Sequence, residues 1–175
     1  MTHTNVSTTD PRNPSTSIVP ILIVNTANGF AKKTDNALLN VINDEKALVT
    51  VVSESNAQTD KDIIMNTRKR LFKDFIIEDK TWPGYNLARV SVIISKKLKY
   101  IRRADLENNF NATIVIEIII SKNNKLFVIG NYRQWQGKSP LCPYNEYDFD
   151  HQKWRFTQMV DLWQNVLKLG KCVFC

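Results

Sequence analysis

Ile18-Val19-Pro20-Ile21-Leu22-Ile23-Val24-Asn25 is an apolar run that closes on an amide. Ala47-Leu48-Val49-Thr50-Val51-Val52-Ser53-Glu54 is a second run, and it closes on a carboxylate. Both are short and rich in β-branched residues, as expected of buried strands, and Pro20 is tolerable near a strand start. Between them Asn28-Gly29 marks a tight turn and Thr34-Asp35 suits a helix cap. Ala31, Leu38, Val41 and Ile42 then recur at helical spacing. Strand, helix, strand in this order predicts a right-handed βαβ unit with parallel strands. The C-terminal ends of those strands, at Asn25 and Glu54, then lie on one edge of a sheet, where α/β proteins build sites.

Further along, Thr113 to Ile120 and Leu126 to Tyr132 form the clearest hairpin, across the turn Ser121-Lys122-Asn123-Asn124. Its second strand runs through Gly130-Asn131 into Tyr132, a phenol at a third strand end. An amide, a carboxylate and a phenol suit a divalent metal and a phosphate. Read without that convergence, Glu54 is a solvated carboxylate and Tyr132 an amphipathic edge residue with its hydroxyl in water. Val90 to Ser95 reads as another strand, and Trp82-Pro83-Gly84-Tyr85 as a turn. Asp150 is placed to cap a helix to about Leu169, with an apolar stripe of Phe156, Met159, Val160, Trp163, Val166 and Leu167. His151 then falls in the loop before that helix. Trp154 and Trp163 read as core anchors. Glu117, inside an apolar run, calls for a Lys or Arg partner and no catalytic role.

The 175 residues, 43% hydrophobic and 23% charged, describe one ordinary globular domain. Met1 to Ser17, polar and nearly devoid of apolar residues, reads as a disordered tail, leaving a domain over 18–175. A net charge of +7 favours a polyanionic partner, with nucleic acid foremost. Candidate phosphate contacts are Arg68, Lys69 and Arg70, and Lys97 and Lys99 within the basic run Lys96–Arg103. The competing reading of the first cluster is a solvated loop or helix face. No apolar stretch is long enough for a membrane helix, and the N-terminus lacks a signal-peptide pattern. Cysteine number is odd: Cys142, Cys172 and Cys175. Cys172-x-x-Cys175 is half of a zinc spacing with no second pair to complete it, so two thiols on a terminal strand are expected. The expected compartment is reducing and intracellular, nucleus or cytoplasm. No membrane and no stable protein partner are expected.

Taken in order, Val24-Asn25-Thr26-Ala27-Asn28-Gly29-Phe30, Ser53-Glu54-Ser55-Asn56, Trp82-Pro83-Gly84-Tyr85 and Gly130-Asn131-Tyr132-Arg133-Gln134-Trp135 resemble the motifs of the endonuclease/exonuclease/phosphatase superfamily. The likeness is to the apurinic-like endonuclease domain of non-LTR retrotransposons, and it covers Ile18 to the C-terminus. It implies an α/β sandwich and a Mg²⁺-dependent DNA endonuclease. By this likeness Glu54 is the metal carboxylate, Asn25 orients the metal's waters or the scissile phosphate, and Tyr132 is a catalytic neighbour of that phosphate. Asn28 holds a second polar position, while Arg133 and the stacking residue Trp135 join the nucleic-acid contacts.

The likeness is incomplete. Aligned on Asn28-Gly29, the family's metal-side position is Thr26 and not Asn25. The family's Gly-Asp-x-Asn and Ser-Asp-His segments, which supply a water-activating Asp and a general-base His, are not in this sequence. The glycine-rich stretch before the next family strand is reduced to Asn86-Leu87-Ala88-Arg89. The expectation is therefore a partial α/β sandwich: one mixed sheet over Ile18–Tyr132 with flanking helices, its inner face left without a second sheet. Its function is that of a degenerate or truncated endonuclease, inactive as this chain, or alternatively of a non-catalytic basic domain that binds DNA without sequence preference.

Overall fold

The computed structural model describes residues 2–10, 13–26, 32–58, 62–81, 87–108, 111–132 and 149–175. Asn28-Gly29, Trp82 to Asn86, Arg133 to Trp135 and Cys142 lie outside them.

The βαβ unit forms as its sequence dictates. β2 (Asn13–Asn25) leads to α1 (Lys32–Asp44) and then to β3 (Val49–Gln58). β2 and β3 are parallel, with Asn25 opposite Ser53. β1 (Thr2–Asp10) pairs antiparallel with β2, so the stretch expected as a tail supplies an edge strand and the start of β2. Thr and Ser are β-compatible, and a strand needs no apolar face where a neighbour satisfies its backbone.

Residues 56–80, read only as polar, contain α2 (Asp62–Leu71) and β4 (Phe75–Thr81). β5 (Leu87–Ser95) completes a mixed sheet of order β1-β2-β3-β5-β4.

The expected single sheet is two. β6 (Tyr100–Arg102), β7 (Ala112–Ser121), β8 (Asn124–Tyr132) and β9 (Lys171–Phe174) form a second sheet in that order. The inner face of the first sheet is therefore covered, not exposed. Val19, Ile21, Val49, Val51, Val90, Val92 and Ile94 meet Ala112, Ile114, Ile116, Ile118, Leu126 and Val128. β7 is apolar without alternation, as a strand buried on both faces is. The sheets approach closely at Gly130, where a Cβ would lie 2.8 Å from Val90 Cγ1 and 3.0 Å from Val51 Cγ1.

Helices cover both outer faces. Leu38 and Ile42 of α1, with Phe72, pack on Leu22, Val24, Val52 and Ile93. α3 (Phe149–Leu167) packs Leu162 and Val166 on Val115, Phe127 and Ile129. The α3 stripe differs from its sequence reading, because Phe156 and Leu167 are half exposed and Arg155 is fully buried. α3 also begins two residues before His151, which is thus helical.

Ion pairs close the side of the sandwich where β4 meets β6. Arg102 reaches Glu78 at 2.9 Å and Glu107 at 2.9 Å, and Lys80 reaches Glu107 at 3.0 Å. Tyr100 donates to Glu78 at 2.7 Å, and burial together with that bond pushes its phenol up to about 12. Glu117 is buried and held by Lys125 at 2.6 Å and Arg103 at 2.7 Å, as its position required. Those bonds, Lys125 foremost, keep its carboxyl below the usual range against the cost of burial.

Candidate active site

Strand direction gives the sandwich two unlike ends. β2, β3 and β8 all finish at one of them, and β9 runs parallel to β8 toward it. The backbone there is irregular. Pairing of β3 with β5 passes from Ser53–Val90 directly to Ala57–Ala88, so Glu54, Ser55 and Asn56 stand opposite Arg89 alone. Glu54 adopts φ 55°, left-handed for a residue with a side chain. Such a conformation costs about 1–3 kcal/mol and persists only where its surroundings fix it.

Two hydroxyls fix it here. Thr26 Oγ1 donates to the Glu54 carbonyl at 3.0 Å, and Thr26 N–H to the Ser53 carbonyl at 3.2 Å. On the other side Ser55, fully buried, donates to the Ala88 carbonyl at 2.9 Å. Ser91 Oγ lies 2.9 Å from Ser55 Oγ and within bonding distance of Asp79. Asp79 in turn holds Arg68 at 3.3 Å. The bulge that carries Glu54 is thereby tied through the outer face to α2.

Asn25, at the end of β2, is exposed, and its neighbour Thr26 is the residue bonded to the Glu54 backbone. The first-motif shift noted in the sequence thus has a structural counterpart. Tyr132 ends β8 in the second sheet and is half-buried against the inter-sheet core. The Arg89 guanidinium lies 5.7 Å from its ring centroid. Since Arg89 faces the Glu54 bulge across the ladder, Tyr132 and Glu54 share one end of the sandwich, on opposite sheets.

The basic candidates divide. Arg68 is no surface phosphate contact: it is 7% exposed, paired with Asp79 at 3.3 Å and with Asp35 at 4.0 Å. Burial raises the Asp35 pKa, with Arg68 opposing and Asp79 adding to the rise. Lys69, Arg70, Lys97 and Lys99 are exposed, and Lys97 and Lys99 lie at the other end, with Lys69 lining a cavity together with Lys96. Lys96 to Lys99 follow Ser95, whose N–H bonds the Leu48 carbonyl just before β3 begins. Val49 to Glu54 is five strand steps, about 17 Å. The open cavities follow the same divide. One of ≈ 580 Å³ is lined by Lys46, Asp74, Lys96 and Lys97, and one of ≈ 320 Å³ by Arg68, Phe72, Phe75 and Asp79.

Sequence reasoning missed Arg89. Its signal was available, as a single cation inside the otherwise apolar and small run Leu87–Ser95.

No protein family matches the sequence, and no curated protein does either. Solved structures do match. The endonuclease domain of TRAS1, a telomere-specific non-LTR retrotransposon, superposes with a TM-score of 0.58 at 13% identity, over 88% of this chain and 57% of that one. TDP2 of D. rerio, humanized by 14 mutations, superposes with a TM-score of 0.56 at 10% identity, over 88% and 59%. D. rerio TDP2 complexed with a single strand DNA product gives 0.53 at 10% identity, over 88% and 58%.

This is the endonuclease/exonuclease/phosphatase fold.

The chain spans less than two thirds of the length of each of these structures. In this fold the donors at the Glu54 end can be tested against a metal. Among the described residues no group of three or more His, Cys, Asp or Glu could hold an ion. A lone carboxylate at an open strand end does fit Mg²⁺, which keeps several waters and takes one or two carboxylates plus phosphate oxygens. No described helix is long and apolar enough to cross a membrane.

Proposed function

We propose that the chain is a metal-dependent phosphodiesterase domain of the retrotransposon-endonuclease type, degenerate in its motifs, which engages DNA and does not turn it over. The observation that carries the reading is the convergence of Glu54, Tyr132 and the Asn25–Thr26 pair at one end of the sandwich, from three strand ends on two sheets. The DNA product in the TDP2 complex supports the ligand class.

Glu54 is the residue that would hold Mg²⁺, whose contribution when bound is to neutralise charge on phosphate oxygens. Thr26 and Ser55 keep that carboxylate on its bulge. Tyr132 presents a phenol to the phosphate. Asn25, exposed beside them, is placed to orient water or phosphate.

Among the described residues of β2, β3 and β8, none is a histidine that could act as a general base. The sequence has two histidines. His3 is in β1, opposite Leu22, and His151 is in α3. Neither is on β2, β3 or β8, although the start of β1, where His3 lies, pairs with the end of β2. General-base catalysis is typically worth about 10²–10⁴ in rate. The purified chain, with Mg²⁺ or Mn²⁺, is therefore expected not to nick supercoiled plasmid above background. Nicking that Glu54→Ala abolishes would show a working enzyme instead.

The second reading, a basic domain that binds DNA without chemistry, is favoured by the exposed Lys69, Arg70, Lys97 and Lys99, of which Lys97 and Lys99 lie away from Glu54. It expects DNA affinity that falls steeply with salt and is indifferent to Glu54 and to Mg²⁺.

A further inference from the structure

We propose that the end of the sandwich where Lys96 and Lys97 lie is a docking groove for an acidic peptide segment carrying bulky apolar side chains. The inference is independent of the phosphodiesterase reading, and it concerns lysines that the Glu54 site does not use.

The groove is made of two open cavities that adjoin. One lies between α2 and β4, with Phe72, Phe75 and Ile77 in its lining. The other lies where α1 gives way to β3, with Ile42, Ala47 and Leu48 in its lining. Phe75 and Lys96 line both. At ≈ 320 and ≈ 580 Å³ the cavities have the size of ligand sites. Their apolar floor is held by core packing: Phe72 meets Phe75 edge-on at 6.4 Å, and both join the cluster of Leu38, Ile42 and Val52.

Cations ring this floor. Lys46, Lys69, Lys96 and Lys97 line the cavities and are exposed. Arg68 and Asp79, the other charged residues of the first cavity, are bonded to each other at 3.3 Å. Among the described lining residues, Asp74 alone then stands against the four lysines. Asp44 and Glu45, exposed at the end of α1, line neither cavity. Among the described residues none of the four lysines forms an ion pair.

Two of the four are placed by the backbone. Lys96 Nζ donates to the Lys73 carbonyl at 2.6 Å, which fixes its charge where the cavities meet. Lys46 closes α1: its N–H bonds the Asn43 carbonyl at 3.1 Å, and the Ala47 N–H bonds the Ile42 carbonyl at 2.9 Å. It does so at φ 52°, a left-handed position where glycine is the usual residue. A glycine would close the helix without strain, so the lysine costs stability and gains a cation at the cavity rim.

Charge and apolarity together choose the occupant. A nucleic-acid backbone would meet the lysines and leave Phe75, Ile77 and Leu48 in water. A wholly apolar segment would fill the cavities and gain nothing from the rim. A second copy of the chain, docked through the same face, would set lysines against lysines. An acidic segment with spaced Phe or Leu side chains answers both features, its apolar groups supplying affinity and its carboxylates registry and steering.

The test uses the full chain and a short fluorescein-labelled peptide in which Asp and Glu alternate with Phe and Leu, followed by anisotropy at low and physiological salt. One control peptide replaces Phe and Leu by Ser, another replaces Asp and Glu by Asn and Gln, and a single-stranded oligodeoxynucleotide supplies charge without apolar side chains. Amide NMR shifts locate the site, and thermal melts accompany each variant. Every control is expected to bind about tenfold more weakly than the acidic apolar peptide. Shift changes should concentrate at Lys46, Leu48, Phe75, Lys96 and Lys97. Lys46→Gly should weaken the peptide about threefold, the scale of one exposed ion pair, while holding or raising the melting temperature. Lys96→Gln/Lys97→Gln, with two charges gone, should weaken it about tenfold. Glu54→Gln should leave it unchanged.

Tight binding of the Ser-substituted peptide or of the oligonucleotide, equal to that of the acidic apolar peptide, overturns the proposal and leaves a surface for polyanions. Equal binding of the uncharged apolar peptide overturns it too. So does an affinity that neither Lys46→Gly nor Lys96→Gln/Lys97→Gln changes, or a set of shifts gathered at Glu54 and Tyr132. A concentration-dependent dimer in sedimentation, lost in the same variants, would assign the groove to a second copy and count against the peptide.

Discussion

The two ends of this sandwich differ in what holds their shape. At the Lys97 end, β3, β5 and β4 pair in regular register from Val49–Ile94 and Phe75–Ser95 onward, the charges are surface side chains of both signs, and the left-handed Lys46 (φ 52°) lies in the turn before β3 and not in a ladder. At the Glu54 end the ladders break, a glutamate takes a left-handed backbone, and side-chain hydroxyls replace the missing ladder bonds. Regular strands position apolar side chains by parity alone. Irregular ones can carry a side chain where parity would not, as Arg89 beside the Tyr132 ring, and their backbone is held by a second layer of polar contacts. That difference teaches which end to read as a site, although the charge count by itself points to the other.

Arg68 gives the largest expected effect, because it sits in a basic run yet belongs to the interior. Arg68→Ala would leave Asp79 and Asp35 without their cation on the outer face of the sheet. Removing one partner of a buried pair costs about 3 kcal/mol or more. Urea denaturation should show a clear loss of midpoint for Arg68→Ala. Lys69→Ala and Arg70→Ala should stay near wild type in stability and lose DNA affinity at low salt instead. Equal midpoints for all three would mean that the two ends are not distinguished in this way.

Gly130→Ala comes next. Its added Cβ would meet Val90 and Val51 at 2.8 and 3.0 Å, both of them β-branched side chains in the packed inter-sheet core. Overpacking of this kind costs about 1–3 kcal/mol. The strain falls two residues from Tyr132, so near-ultraviolet circular dichroism at the Glu54 end should change along with the melting temperature. A neutral Gly130→Ala would show that the sheets can part there without loss, and that the Arg89–Tyr132 contact does not depend on their close approach.

The legibility of the chain follows the same division. The βαβ unit and the β7–β8 hairpin were readable because apolar period and turn chemistry agree over each of them. The second sheet was not inferred, since β6 is only three residues and nothing local in β7 says which sheet it joins. β4 was hidden by Glu78, Asp79 and Lys80, whose charges are met by Arg102, Arg68 and Glu107 from distant elements. Glu54 and Tyr132 could be named from strand ends. Arg89 could not be placed, because its approach to the Tyr132 ring depends on a register break that no sequence period records. Arg68 was misjudged because a buried cation and a solvated one look alike in sequence, and only the partners separate them.

Cys175 offers the smallest effect and the finest probe of the Glu54 end. It follows β9, its N–H bonds the Ile129 carbonyl at 2.9 Å, and its carbonyl accepts from Asn131 at 3.0 Å, one residue from Tyr132. Burial pushes its thiol from 9.0 up to about 12, and raises Cys172 as well. The fold thus favours the protonated thiol at both. The stability held in this way is complete below pH 9 and is lost as pH rises from there toward 12. At pH 8 Cys175 therefore holds far less thiolate than an ordinary thiol. In a Cys142→Ser background, iodoacetamide should therefore label Cys175 far more slowly than a model peptide thiol, and denaturant should remove the difference. Gly130→Ala should raise the Cys175 rate more than Lys97→Gln does, because only the former opens the end where β8 and β9 finish. Rapid labelling of Cys175 in the folded wild type would mean that this end is loosely packed, and that the hydroxyl-anchored bulge does not hold Glu54 in one place.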